Sequence, residues 1–113
     1  MRASKDQQGG EWGGMITGFA KFAKDYDISP YLRGLPDDLC PCPHWGYVIS
    51  GGFVVRYKDH EERVNAGDAY YMQPGHAPLY VEETEVFEIS PADQLSRVIE
   101  VVMSNMSAGT GNA

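Results

Sequence analysis

Apolar and polar positions change their period along this chain. From Ile16 to Tyr26 the apolar residues Ile16, Phe19, Phe22 and Ala23 fit a helical repeat, yet Gly18 and the shortness of the run leave a strand open as the alternative. Ser29-Pro30, followed by Tyr31, Leu32 and Gly34, predicts a single capped turn of helix, Ser29 being the cap. Short runs rich in Val, Ile, Tyr and Phe then predict strands over 46–50, 53–58, 63–66, 69–73, 79–82 and 85–90. Gly51-Gly52 reads as the tight turn of a hairpin joining the first two, with further turns at 58–62, Gly67-Asp68 and Pro74-Gly75. Ser90-Pro91 reads as a helix start with Ser90 as its cap, and beyond it the residues Leu95, Val98, Ile99, Val102, Met103 and Met106 form one helical stripe. The expected element is an amphipathic helix over about 91–106, with the β-branched run RVIEVV keeping a strand as the competing reading.

Turn signals every eight to ten residues, with no helix between them, argue for an antiparallel sandwich or barrel. The length of 113 residues fits one domain. We expect it to span 15–106, with residues 1–14 and 107–113, polar and rich in glycine, as flexible ends. Hydrophobic residues make up 42% of the chain, enough for a packed core. The net charge of −7 opposes phosphate backbones and anionic membranes, so nucleic acid and membrane are not the expected partners. With no run near membrane-spanning length and no signal-peptide pattern, the expected location is cytoplasmic.

Candidate chemistry concentrates in CPCPH, residues 40–44, which holds both cysteines and one of the three histidines. The stretch is open to three readings: metal ligands, a C-x-C redox pair, or a proline-stiffened loop. A disulfide across C-x-C would close a strained ring. His76, after Pro74-Gly75, is the second candidate histidine, whereas His60 lies at a charged turn.

The run His44-x-x-Tyr47-Val48-Ile49-x-Gly51, then Ala66-Gly67-Asp68-Ala69-Tyr70, then Pro74-Gly75-His76, resembles the motif pair of the cupins. The resemblance covers roughly residues 38–90. It implies a small antiparallel β-barrel or jelly roll, here with a C-terminal helix, that holds a metal between the two motifs and dimerises. Where cupins place the Glu of H-x-H-x(3)-E this chain has His44; their second His falls on Cys40 and their first on Asp38. In the second motif the ligand position is Pro78, with His76 two residues early. The pattern is similar to that of single-domain cupins in which Cys and His replace the usual ligands.

Strand parity would turn Cys40, Cys42 and His44 to one face, but an extended chain would hold Cys40 and His44 roughly 13 Å apart at Cα. A shared ion therefore requires a bend, for which Pro41 and Pro43 are suited. Two thiols and two imidazoles make a zinc-like set, so the expected metal ligands are Cys40, Cys42, His44 and His76, with a divalent ion, zinc in the first place, as cofactor. If Cys42 stays out, a fourth position is open to water or substrate. Two functions remain: a metal-binding cupin that takes a small molecule in its barrel, and a metal-dependent enzyme acting on a small polar metabolite. The interior strands show no evident His or Glu to act as general base, the run 82–88 reading as a solvated face, and this favours binding. Arg56 is expected in an outward salt bridge, to Glu88 or a similar residue. The aromatic residues are expected in core and interface, and the assembly is expected to be a homodimer.

Overall fold

The computed structural model describes residues 9–108; the remaining parts of the expected flexible ends lie outside the described residues. Among these residues nine strands and one α-helix follow in order: β1 (Gly9–Trp12), β2 (Met15–Phe22), β3 (Tyr26–Asp27), β4 (His44–Ser50), β5 (Gly52–Arg56), β6 (Glu61–Asn65), β7 (Ala69–Met72), β8 (Ala77–Tyr80), β9 (Thr84–Pro91) and α1 (Ala92–Ser107). They form a five-stranded sheet in the order β1-β2-β9-β4-β7 and a four-stranded sheet in the order β3-β8-β5-β6, with antiparallel pairing throughout. Val48, Tyr70, Met72 and Val86 of the first sheet pack against Phe53, Val55, Val64 and Tyr80 of the second. The expected all-β antiparallel architecture is therefore present as a two-sheet sandwich with a C-terminal helix.

Several local expectations are corrected. Within 16–26 the apolar run is strand up to Phe22: Met15–Phe22 pairs along its whole length with β9, Phe19 opposite Phe87 and Ala20 opposite Val86, and a turn at 24–25 follows. Sheet pairing decided what the ambiguous period could not. Gly9–Trp12, inside the stretch expected to be flexible, pairs with it as an edge strand.

Gly51-Gly52 is not a hairpin turn. Strand β4 pairs with β7 and β9, whereas β5 pairs with β6 and β8, so the two glycines carry the chain from one sheet to the other. At this corner Gly51 has φ +83°, and a Cβ there would run into the Glu83 carbonyl oxygen. The Gly52 N–H donates to Thr84 Oγ1 at 3.1 Å, which locks the corner to the start of β9.

Ser29 is not the cap of its short 3-10 turn, Ser29–Leu32; Ile28 holds that position. Instead Asp27 accepts the Ser29 N–H at 2.9 Å, and Arg56 joins Asp27 at 2.6 Å and Ser29 Oγ at 2.8 Å. The partner of Arg56 is thus Asp27 rather than Glu88. In α1, Leu95, Val98 and Val102 of the expected stripe pack inward, while Ile99, Met103 and Met106 are exposed. Among the described residues no helix is long and apolar enough to cross a membrane.

Candidate metal centre and cavity

Cys40, His44 and His76 meet at one end of the sandwich, all three buried, with one donor atom of each within 4.8 Å of the others. Cys40 is placed by its backbone. Its N–H donates to the His76 carbonyl at 2.8 Å, and its own carbonyl accepts from Gly75 N–H at 2.7 Å and His76 N–H at 3.2 Å. This single antiparallel bridge ties the first motif to the second. The chain between Pro41 and Pro43 is bent rather than extended, and Cys40 Sγ stands 3.8 Å from His44 Nε2. The span that would separate them in a strand is folded back.

The bend also cancels the parity argument for Cys42. Its side chain is fully buried, but its Sγ–H reaches the Pro43 carbonyl at 3.5 Å and it lies outside the three-residue group. His60 stays exposed, bonded to Asp59 at 2.7 Å and to Glu62 at 3.2 Å.

Both site histidines are fixed through Nδ1. His76 Nδ1 faces the Gln73 carbonyl at 2.6 Å; a carbonyl only accepts, so Nδ1 carries the proton and Nε2 is left with a bare lone pair. His44 Nδ1 is 2.6 Å from Ser90 Oγ, a hydroxyl that serves either tautomer and that donates or accepts accordingly. Ser90 was the expected helix cap; Pro91 takes that position, with no side-chain capping bond, and Ser90 stays on β9 facing His44. Burial pushes both imidazoles down to about 4, with the His44 and His76 rings 4.9 Å apart, so both are neutral at pH 7. Burial also pushes the Cys40 thiol up to about 11 and Cys42 to about 12, the charge of Glu88 adding to both. Neither cysteine is the exposed, low-pKa thiolate that redox exchange needs.

Glu88 is the functional candidate that the sequence reading missed. Gly46 on β4 stands opposite both Tyr70 on β7 and Glu88 on β9. Having no side chain, it lets the Tyr70 ring lie across the strand, where a Cβ would collide with it. The Tyr70 hydroxyl then donates to Glu88 Oε2 at 2.7 Å, and Glu88 Oε1 lies 3.8 Å from His44 Nδ1. Burial raises the Glu88 carboxyl to about 7, although the Tyr70 hydrogen bond pulls the other way. Its side chain is 22% accessible and lines a cavity beside His44. Neutral imidazole beside a half-titrated carboxyl, rather than an ion pair, is the state these shifts describe, because burial penalises both charges. The same parity that places Val86 in the core also turns Glu88 inward, which is the signal present in the sequence.

The cavity, of about 320 Å³, lies between the sheets, the 28–32 turn and α1. Cys40, His44, His76 and Glu88 line it with Phe22, Met72 and Leu32 and with the inward face of the helix.

No family model and no curated protein matches the chain in sequence. Solved structures do match in shape. A cupin-2 domain protein from Shewanella frigidimarina aligns at TM-score 0.52 and 17% identity, covering 73% of this chain and 74% of its own. A cupin superfamily protein from Desulfitobacterium hafniense aligns at 0.55 and 12%, covering 73% and 71%. KdgF from a Halomonas species aligns at 0.51 and 21%, covering 73% of each chain. Identities this low speak for architecture alone, and on that architecture, with the paired sheets and the site at one end, this chain has the cupin fold.

Proposed function

We propose that this protein is a metal-binding cupin that holds zinc through Cys40, His44 and His76 and takes a small molecule in the adjoining cavity. The observation that carries the reading is the convergence of one sulfur and two imidazole donors from two separate motifs, with both rings held from behind through Nδ1. Donors around a tetrahedral zinc lie about 3.4–3.6 Å from one another, given bonds of about 2.0–2.3 Å, and the Cys40 to His44 separation of 3.8 Å is close to that. Buried neutral imidazoles need lose no proton to bind, and a cation would offset the cost of ionising Cys40. Bound zinc would supply Lewis acidity at an oxygen or nitrogen atom of a cavity ligand. With Cys42 turned away, three protein ligands leave one position open. The donor set has no carboxylate, which sets it apart from the two-histidine, one-carboxylate iron oxygenase arrangement.

Glu88 supports a second reading, a metal-dependent enzyme. It is the only carboxyl among the described residues that lines the cavity, it is oriented by Tyr70, and it removes the objection that no general base is at hand. Metal analysis of protein purified without added metal tests the primary reading. Near-stoichiometric zinc that falls away in Cys40→Ala supports it. Metal below about a tenth of an equivalent, with Cys40→Ala leaving stability unchanged, overturns it.

A homodimer belongs to the same proposal. Trp45, Tyr47, Ile49 and Tyr71 are between 41% and 47% exposed on the outer face of the five-stranded sheet, with the Trp45 and Tyr71 rings stacked at 5.2 Å. An uncharged aromatic surface of this kind suits a self-complementary contact in a chain of net charge −7. Light scattering at micromolar concentration should give twice the chain mass; a monomeric mass would contradict it.

A further inference from the structure

The cavity lining divides by chemistry. Its side chains with donor or acidic groups are Cys40, His44, His76 and Glu88, joined by the Tyr80 hydroxyl, which feels the charges of Glu88 and Cys40. Most of the remaining lining is hydrocarbon or aromatic. The helix alone contributes Leu95, Val98, Ile99 and Val102, and the sheets contribute Phe22, whose ring is stacked on Tyr80 at 4.0 Å. Among the described residues no lysine or arginine lines the cavity. The helical wall is anchored at both ends: Ala92 N–H donates to the Gly14 carbonyl at 2.9 Å, and Asn105 Nδ2 donates to the Tyr31 and Arg33 carbonyls at 2.7 and 2.8 Å.

Resting on the ligand-binding reading above, we propose that the cavity takes an uncharged, largely hydrocarbon molecule with a single oxygen or nitrogen group at one end, its apolar body against α1 and its polar end at Cys40, His44, His76 and Glu88. A carboxylate or phosphate would meet no lysine or arginine among the described residues, and the charge of a bound zinc would be largely balanced by the Cys40 thiolate and by Glu88 beside it. A polyol would lose water along a wall that returns no hydrogen bonds, at a cost per buried hydroxyl that the few polar groups present cannot offset. The volume is at the small end of the roughly 300–1,000 Å³ of ligand cavities, so the molecule is small. This reverses the expectation of a polar metabolite.

The test is a homologous series on the full chain, with and without bound zinc: butan-1-ol, pentan-1-ol and hexan-1-ol, with hexanoate and hexane-1,2,6-triol as length-matched controls in the zinc-free protein. Affinity is read from NMR shifts of the Leu95, Val98, Ile99 and Val102 methyl groups. Each added methylene should tighten binding about threefold to fourfold, and both controls should bind at least about tenfold more weakly than hexan-1-ol. Ile99→Lys, at a half-exposed position, should weaken hexan-1-ol by about tenfold or more while leaving the thermal midpoint within a few degrees. Affinity that is flat with chain length, a control that binds as well as the alcohol, or an Ile99→Lys protein that binds hexan-1-ol unchanged would overturn the proposal. Failure to take up zinc would remove the metal reading alone, since the zinc-free series still judges this one.

Discussion

The two hydrophobic clusters of this molecule are built differently. The first lies between the sheets, where Phe53 meets Tyr70 edge-on at 5.2 Å and Tyr80 at 5.1 Å, and every member comes from a strand. The second, around Leu32, Cys40, Cys42, Ala77 and Val98, is assembled from turns, the proline-bent loop, the helix and the first residue of β8. Strand alternation fills space regularly and leaves little room for donors. The irregular end leaves a cavity, and there the buried thiols and imidazoles are found. The contrast teaches that packing and chemistry concentrate in different clusters of this chain, joined where Tyr70 of the first holds Glu88 and Met72 and Tyr80 line the cavity.

Substitutions across the two clusters should therefore differ in kind. Phe53→Ala should lower unfolding free energy by about 3–5 kcal/mol in urea titrations, against about 2 kcal/mol for Val98→Ala at the cavity wall, with zinc affinity unchanged in the folded fraction of each. A Val98→Ala cost equal to that of Phe53→Ala would remove the distinction. Within the second cluster, Cys40→Ala should weaken zinc in competition titrations by about 100-fold or more, while Cys42→Ala changes it less than about threefold. Equal losses would return Cys42 to the ligand set. Smaller again is Ser90→Ala, which frees the His44 ring and should cost about tenfold in zinc affinity with little change in stability.

Acid should act on the second cluster first. In zinc-free protein His44 and His76 are held near 4, below their ordinary 6.5, and Glu88 near 7, above its ordinary 4.5. Between about pH 4.5 and 6.5 the unfolded chain takes up two protons at the histidines, while the folded chain holds one more at Glu88. The net difference is about one proton. Stability should therefore fall by about 1 kcal/mol per unit as pH drops through that window. Glu88→Gln should make the fall about twice as steep; an unchanged slope would mean that Glu88 is not the opposing group.

How much of this was legible follows from the same contrast. The strands from Gly52 to Pro91 are near their expected places because alternation and turn residues act locally. Which strand pairs with which was not legible: Gly51-Gly52 has the composition of a hairpin turn, and only the two-sheet arrangement makes it a corner. Cys40 and His44 stand at cupin ligand positions and His76 two residues before one, although what brings them together is a backbone bridge with no sequence signature. Cys42 lies outside the converging group because the two prolines bend the segment across which strand parity was applied. Glu88 was hidden in an acidic run, its inward register visible only beside Val86, and Ser90 was read for its local capping propensity while its hydroxyl serves a residue 46 positions away.

The central claim, a mixed sulfur and imidazole site with Cys42 excluded, is tested most directly by X-ray absorption at the zinc edge on the loaded full-length protein. The account predicts one sulfur at about 2.3 Å and two imidazole nitrogens at about 2.0–2.1 Å, with a further light-atom ligand in the open position. Two sulfurs in the shell, or none, would contradict it.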